Sequence, residues 1–141
     1  MKKVILVIFI FLNILLAQDD IVITEAYARA TPPNVKNSAI FMKITNNSQK
    51  AIALIDAKSS VSKIVEIHTN VKENGITKMI KMQKLEIEPN STSILAPKQN
   101  HIMLIDIAKQ LVDGDSIDLT LIFDNDKTIK IEKIPVVKKI L

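Results

Sequence analysis

Two histidines and a few methionines are the residues in this 141-residue chain whose types could do metal chemistry. The histidines are His68 and His101; beyond the initiator, the methionines are Met42, Met79, Met82 and Met103. The chain has no cysteine, so no thiolate is available for metal binding, redox work or nucleophilic attack. Imidazole nitrogen and thioether sulfur remain. Calcium and magnesium call for oxygen ligands, and zinc takes His, Cys or carboxylate. Thioether sulfur is soft and uncharged and favours monovalent copper. The blue-copper arrangement needs a thiolate, so a site made of these donors would bind and pass on an ion rather than shuttle electrons.

Other chemistries find little support. The sequence has no G-x-S-x-G nucleophile elbow and no glycine-rich phosphate loop. Its paired carboxylates, Asp113/Asp115 and Asp124/Asp126, fall in the turn-like segments VDGDS and DNDK, where solvated turn residues are expected. The second pair lacks the glycine and distal glutamate of a calcium loop. An enzyme is therefore not expected. The net charge is +4, with no Lys/Arg run and 4% aromatic residues, so nucleic acid is not expected as a partner.

The elements that must position these donors read as strands. Short β-branched runs separated by turn signals recur along the chain: DIVITEAYAR, AIFMKIT, AIALIDAKSS, KIVEIHTNV, ITKMIKMQKLEIE, a brief ILAP, HIMLIDI, IDLTLIF and TIKIEKIPV. That rhythm predicts an all-β sandwich or barrel. Only Ile107–Val112 has the look of a helical turn, and the terminal KKIL reads as a frayed tail. In HIMLIDI, the period of two puts His101 and Met103 on one face and Ile102 and Leu104 on the other. Asn74-Gly75 is the preferred central pair of a two-residue hairpin turn. With that turn, His68 faces Lys81, and Met79 lies diagonal to His68 on the same face. A three-residue turn would change the register and could separate them. Met82, three residues from Met79, falls on the opposite face and reads as core, as does Met42.

The N-terminus, MKKVILVIFIFLNILLAQDD, has two lysines, an apolar run from Val4 to Phe11 that resumes after Asn13, and Ala17 before polar residues. This is the order of a secretory signal spanning residues 1–17, with residues 18–141 as the exported domain. The apolar run is short for a membrane span, and membrane contact is expected only through this segment if it stays uncleaved. Without Lys2 and Lys3 the remainder carries 17 basic and 15 acidic side chains, or +2.

The four donors are spaced H-x10-M-x21-H-x-M. This spacing resembles the signature of the PCu(A)C family of periplasmic copper chaperones. The flanks SAIFMKITNNS, VEIHTNVKENGITKM and HIMLIDIAKQLVDGDSIDLTLIF are also similar to that family, and the match runs over about residues 22–136. The resemblance implies a cupredoxin-like Greek-key β-sandwich, a periplasmic location, and one Cu(I) held by His68, Met79, His101 and Met103. It also implies delivery to the dinuclear copper centre of cytochrome c oxidase, with an oxidase subunit or a thiol-containing copper chaperone as partner. A monomer is expected. His101 and Met103 would then face outward as half of an exposed site. The C-terminal His/Met-rich tail of some members has no counterpart in VVKKIL. Two alternatives stand beside this reading: a periplasmic copper storage or acquisition protein using the same site, and a β-sandwich interaction module that binds no metal.

Overall fold

The structure, a computed structural model, describes residues 19–138. The expected signal segment and residues 139–141 of the expected tail lie outside them. Ten strands make up the described fold: β1 (Ile21–Arg29), β2 (Asn37–Asn46), β3 (Ile52–Lys58), β4 (Ser62–Glu73), β5 (Ile76–Lys81), β6 (Leu85–Ile87), β7 (Ser91–Leu95), β8 (His101–Ile107), β9 (Ser116–Phe123) and β10 (Thr128–Val137). They follow the spatial order β5-β4-β8-β2-β1-β10-β9-β3-β6, with β7 also paired to β2. The all-β sandwich read from the turn rhythm is the architecture found.

Alternating side chains explain why the path folds into two layers. In β9, Ile117, Leu119, Leu121 and Phe123 are buried while Asp118, Thr120 and Ile122 are partly exposed. Opposite them, β2, β4 and β8 contribute Ile40, Met42, Ile44, Ile67, Ile102 and Leu104 to the same core. Met42 is a core residue and Met82 packs against the core, as their positions in the strands predict. The layers join where β1 runs parallel to β10, at Ala28–Val136 and Arg29–Val137. Both strands are bulged there, β1 between Thr24 and Tyr27 and β10 between Ile131 and Ile134. Each bulge holds one residue at positive φ, Glu25 and Lys133, and bulges of this kind bend a strand.

Two expectations change. Ile107–Val112 forms no helical turn. Ile107 ends β8, and the backbone N–H groups of Ile107 and Ala108 donate to the carbonyls of Lys36 and Val61. The Leu111 N–H donates to Thr31 Oγ1. Six residues are too few to nucleate a helix against such partners, and the segment instead plugs buried Leu111 into the core. ITKMIKMQKLEIE is also not one strand. The Met82 N–H makes a last bond to the Ile67 carbonyl; the chain then crosses to the other layer, where β6 pairs with β3. The crossing buries Leu85 and Ile87, whereas all of β5 is exposed.

Asn46 is fully buried and holds the end of β2. Its Nδ2 donates to the carbonyls of Lys50, Ile87 and Glu88 at 2.7, 3.1 and 3.2 Å, and its Oδ1 accepts from the Ser48 N–H and hydroxyl. Truncation would remove all of these bonds, the buried one to the Ile87 carbonyl among them. Asn46→Ala is expected to lower unfolding free energy by about 1–3 kcal/mol, the cost of unsatisfied buried groups. Met42→Ala should lower it by about 2–5 kcal/mol through the cavity it leaves. Urea denaturation of the two variants checks both values.

Candidate metal centre

Strand β4 lies between β5 and β8, and its register gathers the donor residues. His68 stands opposite His101 on β8 and opposite Lys81 on β5. Glu66 stands opposite Met103, and Asn70 opposite Met79. The β4–β5 turn has Asn74 and Gly75 both at positive φ, 52° and 79°. This is the two-residue turn of the Asn-Gly type, and it sets the register that leaves Met79 diagonal to His68. The three-residue alternative is not adopted. All four residues singled out in the sequence therefore share the outer face of one sheet, with Ile67, Ile102 and Leu104 on the core face behind them.

The two imidazole centroids lie 5.9 Å apart, with ring planes at 54°. An aromatic row continues from them. His101 lies 6.2 Å from the Phe41 ring, Phe41 lies 5.2 Å from Tyr27, and the Arg29 guanidinium sits 5.4 Å over Phe41. On the other side, His68 Nε2 lies 2.7 Å from Glu66 Oε2, and Lys81 Nζ donates to Glu66 Oε1 at 2.9 Å. His101 Nδ1 is 2.8 Å from the Gln99 carbonyl. Gln99 belongs to the loop between β7 and β8, which is closed by Ala96 N–H to Asn100 O and Gln99 N–H to Ala96 O, with Lys98 at positive φ.

Exposure falls inward across the face. Met79 is 50% exposed and Met103 is half-buried, but His101 is only 3% exposed. The expectation that His101 faces outward needs correction: it is on the outer face of the sheet, yet Phe41, His68 and the Gln99 loop close over it. An open cleft of about 340 Å³ gives access, lined among others by Met79, His101, Met103, Arg29 and Lys98. Its lining includes no carboxylate. Among the described residues, no group of three or more His, Asp or Glu could hold a metal ion, so any metal at this face would need the thioethers. Three of the four carboxylates paired in the sequence serve the backbone instead. Asp115 accepts from the Val112 N–H, Asp113 from the Lys138 N–H, and Asp124 from the Ala53 N–H.

Burial lowers the His101 pKa below its ordinary value, against an upward pull from the Gln99 carbonyl. Hydrogen bonds from His68, then Lys81, hold the Glu66 carboxyl below its ordinary value. Sequence reasoning singled out neither Glu66 nor Gln99. Glu66 was within reach, because E-x-H puts it on the same strand face as His68. Gln99 acts through its backbone and leaves no side-chain signal.

The family model described as "Putative lipoprotein LpqE-like" matches residues 21–136. The chain belongs to the LpqE-like family. Among its relatives, the uncharacterized protein RP573 of Rickettsia prowazekii (strain Madrid E) is 30% identical over 128 residues, covering 88% of this chain and 70% of the relative. The putative lipoprotein Lxx21020 of Leifsonia xyli subsp. xyli (strain CTCB07) is 28% identical over 111 residues, covering 78% of this chain and 66% of the relative. Among solved structures, the copper-bound PCuAC domain from PmoF2 superposes with a TM-score of 0.72 at 22% identity, covering 86% of this chain and 95% of that one. Apo-DR1885 from Deinococcus radiodurans gives 0.64 at 26% identity, covering 88% and 87%. The cupredoxin-like sandwich implied by the resemblance is thus the fold of this LpqE-like protein.

Buried His101 makes the stability of the metal-free protein depend on pH. Its folded pKa is depressed, so its contribution is fully present above the unfolded value of 6.5. As pH falls below that value, the unfolded chain takes up a proton that the folded chain does not, and stability is lost until the folded pKa is passed. Glu66 follows the same sign in a lower window, starting only below about 4.5. Urea midpoints measured between about pH 7.5 and 5 should fall for the native sequence and fall less for His101→Gln. Equal slopes for the two would show that His101 is not the group responsible.

Proposed function

We propose that this protein is a Cu(I) chaperone of the bacterial periplasm that carries one ion on His68, Met79, His101 and Met103. The observation that supports this reading is that two imidazoles and two thioethers share one face of the adjacent strands β4, β5 and β8, with Met79, His101 and Met103 lining one cleft, His68 paired across from His101, and the neighbouring carboxylate, Glu66, already engaged by His68 and Lys81. Such a neutral, soft donor set suits Cu(I) and poorly suits calcium, magnesium or zinc. The fold shared with a copper-bound PCuAC domain supports it, as does the fold shared with the Cu(I) form of DR1885. The description of the family as lipoprotein-like supports an envelope location, with residues 1–17 as the export signal.

The gradient of exposure suggests how the ion is taken up and passed on. Met79, on the exposed β5, is the donor an incoming partner can displace first, and Met103 follows along the cleft wall. The buried His101 and the pinned His68 hold the ion until last. Stepwise exchange of this kind favours a carrier over a store. The recipient we propose is the dinuclear copper centre of cytochrome c oxidase, reached directly or through a thiol-containing chaperone. No covalent step is involved, and the protein acts as a monomer without enzymatic activity.

Protein lacking residues 1–17 should bind about one Cu(I) per chain and bind Zn(II) much more weakly, because the single donor set is soft. Competition titrations with a chelator under reducing conditions check this, and similar affinities for the two metals would refute it. Met79→Leu and Met103→Leu should each weaken Cu(I) binding. Their stabilities should change by less than about 1.5 kcal/mol, since Leu and Met have similar volumes. Unchanged affinity in Met103→Leu would remove that residue from the site.

A further inference from the structure

His68 stands out among the described residues as the owner of a buried polar side-chain atom with no hydrogen-bond partner, its Nδ1. Buried polar groups are nearly always paired, and each exception asks for a reason. The other ring nitrogen, Nε2, faces Glu66 Oε2 at 2.7 Å. The second oxygen of Glu66 accepts from Lys81 at 2.9 Å. An ionised carboxylate only accepts hydrogen bonds, so a neutral His68 facing it must carry its proton on Nε2. Its lone pair is then on Nδ1, the buried and unpaired atom.

The same reasoning gives the opposite result for His101. Its Nδ1 faces the Gln99 carbonyl at 2.8 Å, and a carbonyl also only accepts. His101 therefore carries its proton on Nδ1 and presents Nε2. The two facing imidazoles are fixed in opposite tautomers by two different acceptors, one a side chain and one a backbone group.

We infer that Glu66 is a positioning residue that fixes His68 as an Nδ1 metal donor, with Lys81 holding the carboxylate in place, while the Gln99 carbonyl fixes His101 as an Nε2 donor. The inference deepens the copper reading above and rests on it for the identity of the ion. It explains why the carboxylate beside the two histidines does not serve as a hard ligand: both of its oxygens are in use. It also explains why the cost of an unpaired buried nitrogen is tolerated, since the metal is its missing partner. Acceptors behind a ligating histidine orient the ring and raise its basicity, and their loss costs about 10–100-fold in metal affinity.

The test has two arms. In the metal-free protein, ¹⁵N NMR of the imidazole rings reads the tautomers directly and needs no copper. His68 should be the Nε2–H form and His101 the Nδ1–H form. Glu66→Ala should give His68 a mixture of tautomers, and Glu66→Gln, whose amide oxygen still accepts, should keep the native one. In the second arm, Cu(I) affinity should fall about 10–100-fold in Glu66→Ala and by less in Glu66→Gln. Glu66 is on the outer face of the sheet, and thermal melts confirm that both variants are folded. On loading the native sequence with Cu(I), the large ¹⁵N shift changes should fall on His68 Nδ1 and His101 Nε2. Native protein that binds Cu(I) with His68 protonated at Nδ1, or Glu66→Ala with undiminished affinity, overturns the positioning role and leaves the copper reading standing. Native protein with the expected tautomers that binds no Cu(I) overturns the copper reading and with it the metal role of the two nitrogens.

Discussion

The pairing of β4 with β8 is the constraint on which the rest of this molecule depends. It sets His68 directly across from His101, and the same ladder sets Ile67 across from Ile102 on the opposite face. Because side chains alternate, a slip of one residue by either strand would carry its histidine into the core and push its isoleucine out. Ile67 and Ile102 are buried against β9 and its neighbours, and burying such side chains contributes about 1.5–3 kcal/mol each. The histidines add little to this preference. The apolar face selects the register, and the polar face inherits the geometry that register produces.

On that inherited face, a copper carrier of the kind proposed would have to meet two opposing demands. Donors held rigidly and away from water bind an ion well, and donors open to a partner release it. The fold distributes the demands over different residues. His101 is buried beside Phe41 and the Gln99 loop, and its burial favours the neutral form over the opposing pull of the Gln99 carbonyl. His68 is tied to Glu66 and through it to Lys81. Met79 sits on the edge strand β5, every residue of which is exposed. A two-stranded ribbon has little stability of its own, and the Met79 thioether stands where that ribbon begins, opposite Asn70 just past the last β4–β8 pair.

Much of this was legible in the sequence because it follows from period-two alternation and one turn. Asn74-Gly75 dictated the hairpin register, and HIMLIDI dictated which of its residues share a face. The turn rhythm dictated the all-β class. What escaped the sequence depends on contacts between distant segments. His101 is buried because Phe41, sixty residues earlier, lies beside it across the sheet, and no local pattern records that. The break between β5 and β6 arises because Leu85 and Ile87 find a place in the other layer; the apolar phase shifts between Met82 and Leu85, but the shift does not say where the chain goes. Ile107–Val112 has helix-like spacing, but its backbone groups are claimed by Lys36, Val61 and Thr31. The role of Gln99 rests on its carbonyl, which every residue type possesses.

The methionines show most directly how position rather than residue type assigns a role here. Met42 and Met103 lie on strands that pair with or adjoin one another, β2 and β8, yet they face opposite sides of the sheet. Met42 fills the core between Ile40 and Ile44. Met103, beside Ala39 in the ladder, looks onto the cleft. Met82 and Met79 repeat the contrast on a shorter scale: three residues apart, one packs on the core and the other is half exposed. A thioether in the core is an adaptable apolar filler. On the outer face, next to two imidazoles with hydrogen-bond partners of their own, the same group is the soft ligand of the proposed site. The sheet thus separates core packing from the proposed donor set across its own thickness, so that changes on one face need not disturb the other.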